Sequence, residues 1–101
     1  MKLIFEPTFK ADYKRVKKRS PFVAEEFNAV LSAILETGQV PDAYSPHELM
    51  NPGGNYNSHM EFHLSDGLTD VLVIYMPHKS NPSIRFVRMG SHEELFRGPR
   101  V

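Results

Sequence analysis

Apolar and polar positions recur along this chain with two different periods, and the change from one to the other divides it. "KLIFE", Lys2 to Glu6, is a short apolar run stopped by Pro7, which predicts a first strand. Thr8 then caps a helix in which Phe9, Tyr13 and Val16 recur at three- and four-residue spacing. Ser20 and Pro21 interrupt that helix and open another, with Ser20 as cap and Pro21 in its first turn. Phe22, Val23, Phe27, Val30, Leu31, Ile34 and Leu35 continue the helical period up to Gly38, as a core helix packed on a sheet does.

From Gln39 to Asn57 the pattern is lost among three prolines, two adjacent glycines and four Asn or Asp residues, a loop with "NPGGN" as its turn. Beyond it the period becomes two. In "SHMEFHLS" the polar His59, Glu61 and His63 alternate with Met60, Phe62 and Leu64, which predicts a strand with one apolar and one polar face. "DVLVIYM" reads as a more buried central strand and "SIRFVRM" as another, joined by "PHKSNP". Ser91 caps a last short helix, and Glu94 three residues on completes a capping box. Strand, two helices, long loop, three strands and a short helix make an α+β fold of two layers. Two N-terminal helices pack on a mainly antiparallel sheet of about four strands, in a single domain over residues 1–101.

Composition narrows this picture. With 101 residues, 41% of them hydrophobic, the chain supports one modest core. Twelve basic residues balance twelve acidic ones, so net charge announces no polyanionic partner. The distribution is uneven: Lys10, Lys14, Arg15, Lys17, Lys18 and Arg19 crowd one ten-residue stretch against the single acid Asp12. Screening confines charge effects to about 8–10 Å, so a local ridge of this kind still binds phosphates. Cysteine is absent, which removes thiolate chemistry and disulfides, and neither a signal peptide nor a membrane span is expected. A cytoplasmic protein is the expectation.

If Met60, Phe62 and Leu64 face the helices, His59, Glu61 and His63 line the opposite face of the sheet. On a strand, His59 and His63 stand about 13 Å apart, too far for one metal ion to bridge, so neither metal nor cofactor is expected. No Gly-x-Ser-x-Gly elbow and no phosphate-binding glycine loop is present. What remains is acid–base chemistry by histidine, whose ordinary pKa lies near neutrality, or binding alone. His92 is equally a first-turn helix residue, Arg88 a partner for Glu93 or Glu94, and the basic helix a solvated face.

The residues also resemble a known family. "YSPHEL" sets Tyr44, His47 and Leu49 in a Tyr-x-x-His-x-Leu segment, and "EFHL" places Glu61 and His63 at a strand end. Asp70 precedes a strand ending in Ile-Tyr, and "RMGSHEELF" supplies Arg88, Gly90, Ser91, His92, Leu95 and Phe96. Taken in order, these resemble the YafQ branch of the RelE-superfamily bacterial toxins of type II toxin–antitoxin systems. The resemblance implies a RelE-like fold and a ribosome-dependent, metal-independent endoribonuclease that cleaves mRNA in the ribosomal A site. A cognate antitoxin, with a higher-order toxin–antitoxin complex, is the implied partner, beside ribosome and mRNA. The chain lacks an Arg and a Trp that the pattern usually has, and its longer hairpin makes Asp66 a competitor to Asp70. These departures keep open an alternative, a weak or inactive relative acting through antitoxin binding and promoter co-repression.

On this resemblance His63 and His92 carry proton transfer to and from the RNA, with His92 the acid beside Arg88. Arg88 stabilises the phosphorane, and His47 approaches from the loop as a further acid, base or phosphate donor. Asp70, or Asp66, orients an imidazole, and Phe96 stacks on a base. Lys10, Lys14, Arg15, Lys17, Lys18 and Arg19 meet ribosomal RNA backbone.

Overall fold

Pro7 sets the first boundary: it has no N–H to give a sheet, and its fixed φ suits a helix start. In the computed structural model, which describes residues 1–50, 56, 58–64, 71–78 and 82–97, β1 (Lys2–Phe5) therefore leads at once into α1 (Pro7–Arg19). The expected Thr8 cap is displaced. Glu6 takes the cap position, and Thr8, already inside the helix, donates its hydroxyl to the Val87 carbonyl at 3.0 Å. Ser20 and Pro21 divide the helices as expected, although Ser20 makes no side-chain cap bond; α2 runs Pro21–Thr37. Gly38 ends α2 with a left-handed φ of 84°, which its missing Cβ permits, and donates its N–H to Ile34 O at 2.7 Å.

The stretch expected as continuous loop holds structure. A 3₁₀ turn, Asp42–Tyr44, ends at Ser45, whose φ of 51° redirects the chain into β2 (His47–Glu48). A two-residue strand is too short to show a period; it exists because it pairs with β3 (Met60–Leu64), His47 opposite Glu61. The glycine turn "NPGGN" lies outside the described residues. With β4 (Val71–His78) and β5 (Ser83–Gly90), the sheet has five strands rather than about four, in the order β1-β5-β4-β3-β2. β1 runs parallel to β5, and the other pairs are antiparallel.

One face of this sheet is covered by α1 and α2. Phe9, Val16, Phe27, Val30 and Ile34 from the helices meet Phe62, Leu64, Val73, Ile84 and Phe86 from the strands, all but fully buried. Phe9, Phe27 and Phe86 pack at ring-centroid distances of 5.4–5.5 Å, and burying each such side chain contributes about 1.5–3 kcal/mol. α1 also closes the sheet's edge. β1 stops at Phe5, opposite Phe86, and beyond it Thr8 and Asp12 take the exposed backbone groups of Val87 and Met89. The other face carries a smaller cluster, Leu49, Leu72, Ile74 and Leu95, under the short π-helical turn α3 (Glu93–Arg97).

Candidate active site

The cross-strand register builds a site on that second face. Glu61 lies opposite His47 on one side and Ile74 on the other, and Ile74 lies opposite Arg88. One row across the sheet thus reads His47, Glu61, Ile74, Arg88. The next reads His63, Leu72, Gly90. Arg88 reaches its row because the β4–β5 ladder slips between Tyr75, opposite Phe86, and Ile74, opposite Arg88. The slip leaves Val87 as the extra residue of a bulge, a device that re-aims side chains at sheet edges.

Gly90 keeps the second row open for the chain reversal. A Cβ there would press on Glu94 Oε1 at 3.2 Å and touch Arg15 Nη2 at 3.4 Å and Leu95 at 3.5 Å, so a side chain would push the Glu94 carboxylate a few tenths of an ångström from its place. The predicted capping box forms in both directions. Glu94 N–H donates to Ser91 Oγ at 3.1 Å, and Ser91 N–H donates to Glu94 Oε1 at 3.0 Å. Arg15 and Arg19 of α1 add contacts to the same carboxylate at 3.2 and 3.3 Å. Burial works to raise the Glu94 carboxyl, but the Ser91 amide and the two guanidiniums outweigh it and hold it below its ordinary value.

This brings His92 back over the sheet. His47 and His63 stack at 6.1 Å between ring centroids, His63 and His92 lie 5.9 Å apart, and His92 and Phe96 lie 5.7 Å apart. Phe96 then meets Tyr56 at 6.5 Å. Four residues separated by up to 49 positions in sequence form one continuous row of rings. Glu61 underlies its first two members: Oε1 is 3.1 Å from His47 Nε2 and 3.5 Å from His63 Nε2. The Ser45 carbonyl accepts a hydrogen bond from His47 Nδ1 at 2.7 Å, which fixes the orientation of that ring.

Arg88 takes its carboxylate partner from α1 rather than from Glu94. Glu94 belongs to Arg15 and Arg19, and Arg88 instead forms a buried fork with Asp12, Nε to Oδ2 at 2.6 Å and Nη2 to Oδ1 at 3.2 Å. Asp12 Oδ2 accepts from Met89 N–H as well, at 3.1 Å. The hydrogen bond to Asp12 raises the Arg88 pKa, against desolvation. Nη1 faces the Tyr56 hydroxyl at 3.4 Å, so this edge of the guanidinium is the one turned toward the ring row.

His47, His63, Arg88, His92 and Phe96 are thus brought to one face, while Asp70 and Asp66 lie outside the described residues. Three participants had no role in the sequence reading. Glu61 was legible as a polar-face residue, and Asp12 as the lone acid in a basic run. Tyr56, held at a left-handed φ of 65°, carried no signal. Separation along one strand keeps His59 and His63 from sharing an ion, but His47 arrives from the neighbouring strand, and one donor atom each from His47, Glu61 and His63 lies within 4.8 Å of the others. On α1, Lys10, Lys14, Lys17 and Lys18 are exposed along one stripe, whereas Arg15 and Arg19 are engaged with Glu94. No helix among the described residues is long and apolar enough to cross a membrane.

A five-stranded sheet backed by two helices, with a short C-terminal turn over its open face, is the α+β architecture of the RelE-type bacterial toxins. Residues 1–97 match the family of bacterial toxins of type II toxin–antitoxin systems, YafQ, and the chain belongs to that family. A metal-bound toxin from Helicobacter pylori is similar at 29% identity and a TM-score of 0.73, over 95% of this chain and 99% of that one. The E. coli DinJ–YafQ complex matches at 20% identity and TM-score 0.71, over 92% and 94% of the two chains. A YoeB/ParE toxin from Agrobacterium tumefaciens shares the fold at 14% identity and TM-score 0.69, over 91% and 99%. Among curated protein sequences, none matches this chain.

Proposed function

We propose that this toxin is a ribosome-dependent endoribonuclease that cleaves mRNA with its own side chains as acid and base. The observation that carries the reading is the ring row His47–His63–His92–Phe96, with Arg88 beside it. Cleavage needs a base for the 2′-hydroxyl, an acid for the 5′-oxygen and positive charge for the phosphorane. A phosphate seated between His63 and His92, 5.9 Å apart, meets both rings. One imidazole takes the 2′-hydroxyl proton as that oxygen bonds to phosphorus; the other protonates the departing 5′-oxygen as its P–O bond breaks. A 2′,3′-cyclic phosphate and a 5′-hydroxyl remain. Glu61 is the positioning carboxylate for His63 and His47, in the place first given to Asp70 or Asp66. The Nη1 edge of Arg88 faces the developing charge, and Phe96 offers a stacking surface to a base.

Lys10, Lys14, Lys17 and Lys18 would contact ribosomal RNA backbone without reading sequence. The E. coli relative forms a complex with DinJ, and a cognate antitoxin is the expected partner here too. Action on translating ribosomes makes the cytoplasm the expected location. The test is induced expression of wild type beside His92→Ala, His63→Ala and Glu61→Gln, reading growth and mRNA ends. Arrest with cleaved mRNA for wild type, and its loss in both histidine variants, is the expected result. Equal arrest by all four proteins would replace catalysis by toxicity through binding, and no arrest by folded wild type would favour an inactive relative.

A further inference from the structure

A guanidinium carries its N–H donors in one rigid plane, so whatever holds one edge of Arg88 decides which edge is left for a phosphate. The Nε and Nη2 side is held by Asp12, at 2.6 and 3.2 Å. We propose that Asp12 is the positioning residue for Arg88. Its carboxylate occupies the side fork of the guanidinium and so turns the end fork, one hydrogen each from Nη1 and Nη2, toward the ring row. Tyr56, in contact with both Nη1 and Phe96, marks that direction.

The whole carboxylate is committed to this arrangement. An ionised carboxylate offers about four acceptor positions, and Asp12 is given four donors among the described residues. Oδ2 accepts from Arg88 Nε and from the Met89 amide, the latter at 3.1 Å. Oδ1 accepts from Arg88 Nη2 and from Arg15 Nη1, the latter at 3.1 Å. The Asp12 and Arg88 side chains are 4% and 9% exposed, so little water competes for these bonds. The Met89 amide also ties the carboxylate to the strand that carries Arg88, and neither group turns without the other.

Arg15 extends the arrangement to the acid–base group. Its Nη1 is on Asp12, and its Nε lies 3.2 Å from Glu94 Oε2. Glu94 closes the capping box at the start of α3 and sets His92 over His63. One guanidinium thus bridges the carboxylate that orients Arg88 and the carboxylate that carries His92 into place. Arg15 is a second positioning residue, and not the ribosomal RNA contact that its place in the basic run suggests. A lysine there keeps the charge but lacks the planar fork that reaches both carboxylates at once.

The effect on cleavage rests on the ribonuclease reading, whereas the orientation of Arg88 does not, and the experiment reads the two separately. Ribosomes carrying a defined mRNA are mixed with excess purified toxin, which gives a maximal cleavage rate and an apparent affinity. Asp12→Asn puts an amide donor among donors and is expected to lower the maximal rate about a hundredfold, with the affinity unchanged. Asp12→Glu keeps the buried ion pair but displaces the guanidinium; it is expected to lower the rate too, and serves if circular dichroism shows Asp12→Asn unfolded. Arg15→Lys is expected to lower the maximal rate about tenfold and to leave the affinity and its salt dependence unchanged. Folded Asp12 variants that cleave at the wild-type rate overturn the proposal for Arg88. An Arg15→Lys variant with the wild-type maximal rate overturns it for Arg15, whatever its affinity. Nuclear magnetic resonance of the Arg88 Nε–H supplies the second readout, with slow exchange with water expected in wild type and fast exchange in Asp12→Asn. Fast exchange in wild type overturns the orientation whether or not RNA is cut. Slow exchange in a wild type that cuts no RNA supports the orientation and fails the ribonuclease reading.

Discussion

Asp12 and Arg88 show how much rests on one buried pair. The two side chains come from α1 and β5, and each is under 10% exposed. Asp12 accepts from Arg88, Arg15 and the Met89 amide together. Removing the carboxylate leaves a buried guanidinium unpaired and an edge amide unsatisfied. Asp12→Ala is therefore expected to lose about 3–5 kcal/mol in urea unfolding, and a loss under about 1 kcal/mol would show that water replaces the carboxylate. Tyr75 offers a second test at this scale. Burial pushes its phenol from 10.0 up to about 12, so ionisation favours the unfolded chain. The stability it contributes is complete below pH 10 and is lost as pH rises through about 12. Ultraviolet titration should find a tyrosine component ionising late, and Tyr75→Phe should remove it.

At the level of elements, α3 is held to α1 by one carboxylate. Glu94 closes the capping box on Ser91 and faces Arg15 and Arg19, and these contacts set His92 over His63. Its folded pKa is depressed, so the stabilisation is present above the ordinary carboxylate value near 4.3 and is lost as pH falls through the folded value. Glu94→Gln should lose about 1 kcal/mol or less at neutral pH, the pairs being partly exposed, and nothing relative to wild type in strong acid. Urea unfolding across that range checks the sign; a difference that grows in acid would contradict it. β2 makes a related point. Two residues of strand carry no period, yet their pairing places His47 against Glu61.

For the whole molecule, zero formal charge hides a polarised surface. Lys10, Lys14, Lys17 and Lys18 form an exposed stripe on the outer side of α1, while Arg15 and Arg19 are turned to Glu94. If the stripe meets ribosomal RNA, Lys14→Ala with Lys18→Ala should weaken ribosome association at low salt and reduce the salt slope by roughly one to two. Unchanged sedimentation with ribosomes at every salt concentration would remove α1 from the interface.

The sequence by itself determined the helices, the three long strands, the buried face of β3 and the capping box at Ser91. Each follows from neighbours a few residues apart: periodicity, proline, glycine and a side chain three positions from its partner amide. The motif residues also marked His47, His63, Arg88, His92 and Phe96 as candidates through resemblance. Tertiary structure decided what those residues touch. That Glu61 lies between two imidazoles, that Arg88 is spent largely on Asp12, and that Tyr56 closes the ring row depend on cross-strand register and on the bulge at Val87. Register is a property of pairs of segments far apart in the chain: one residue of slip turns a strand's side chains to the opposite face, and no local pattern records the neighbour it will meet.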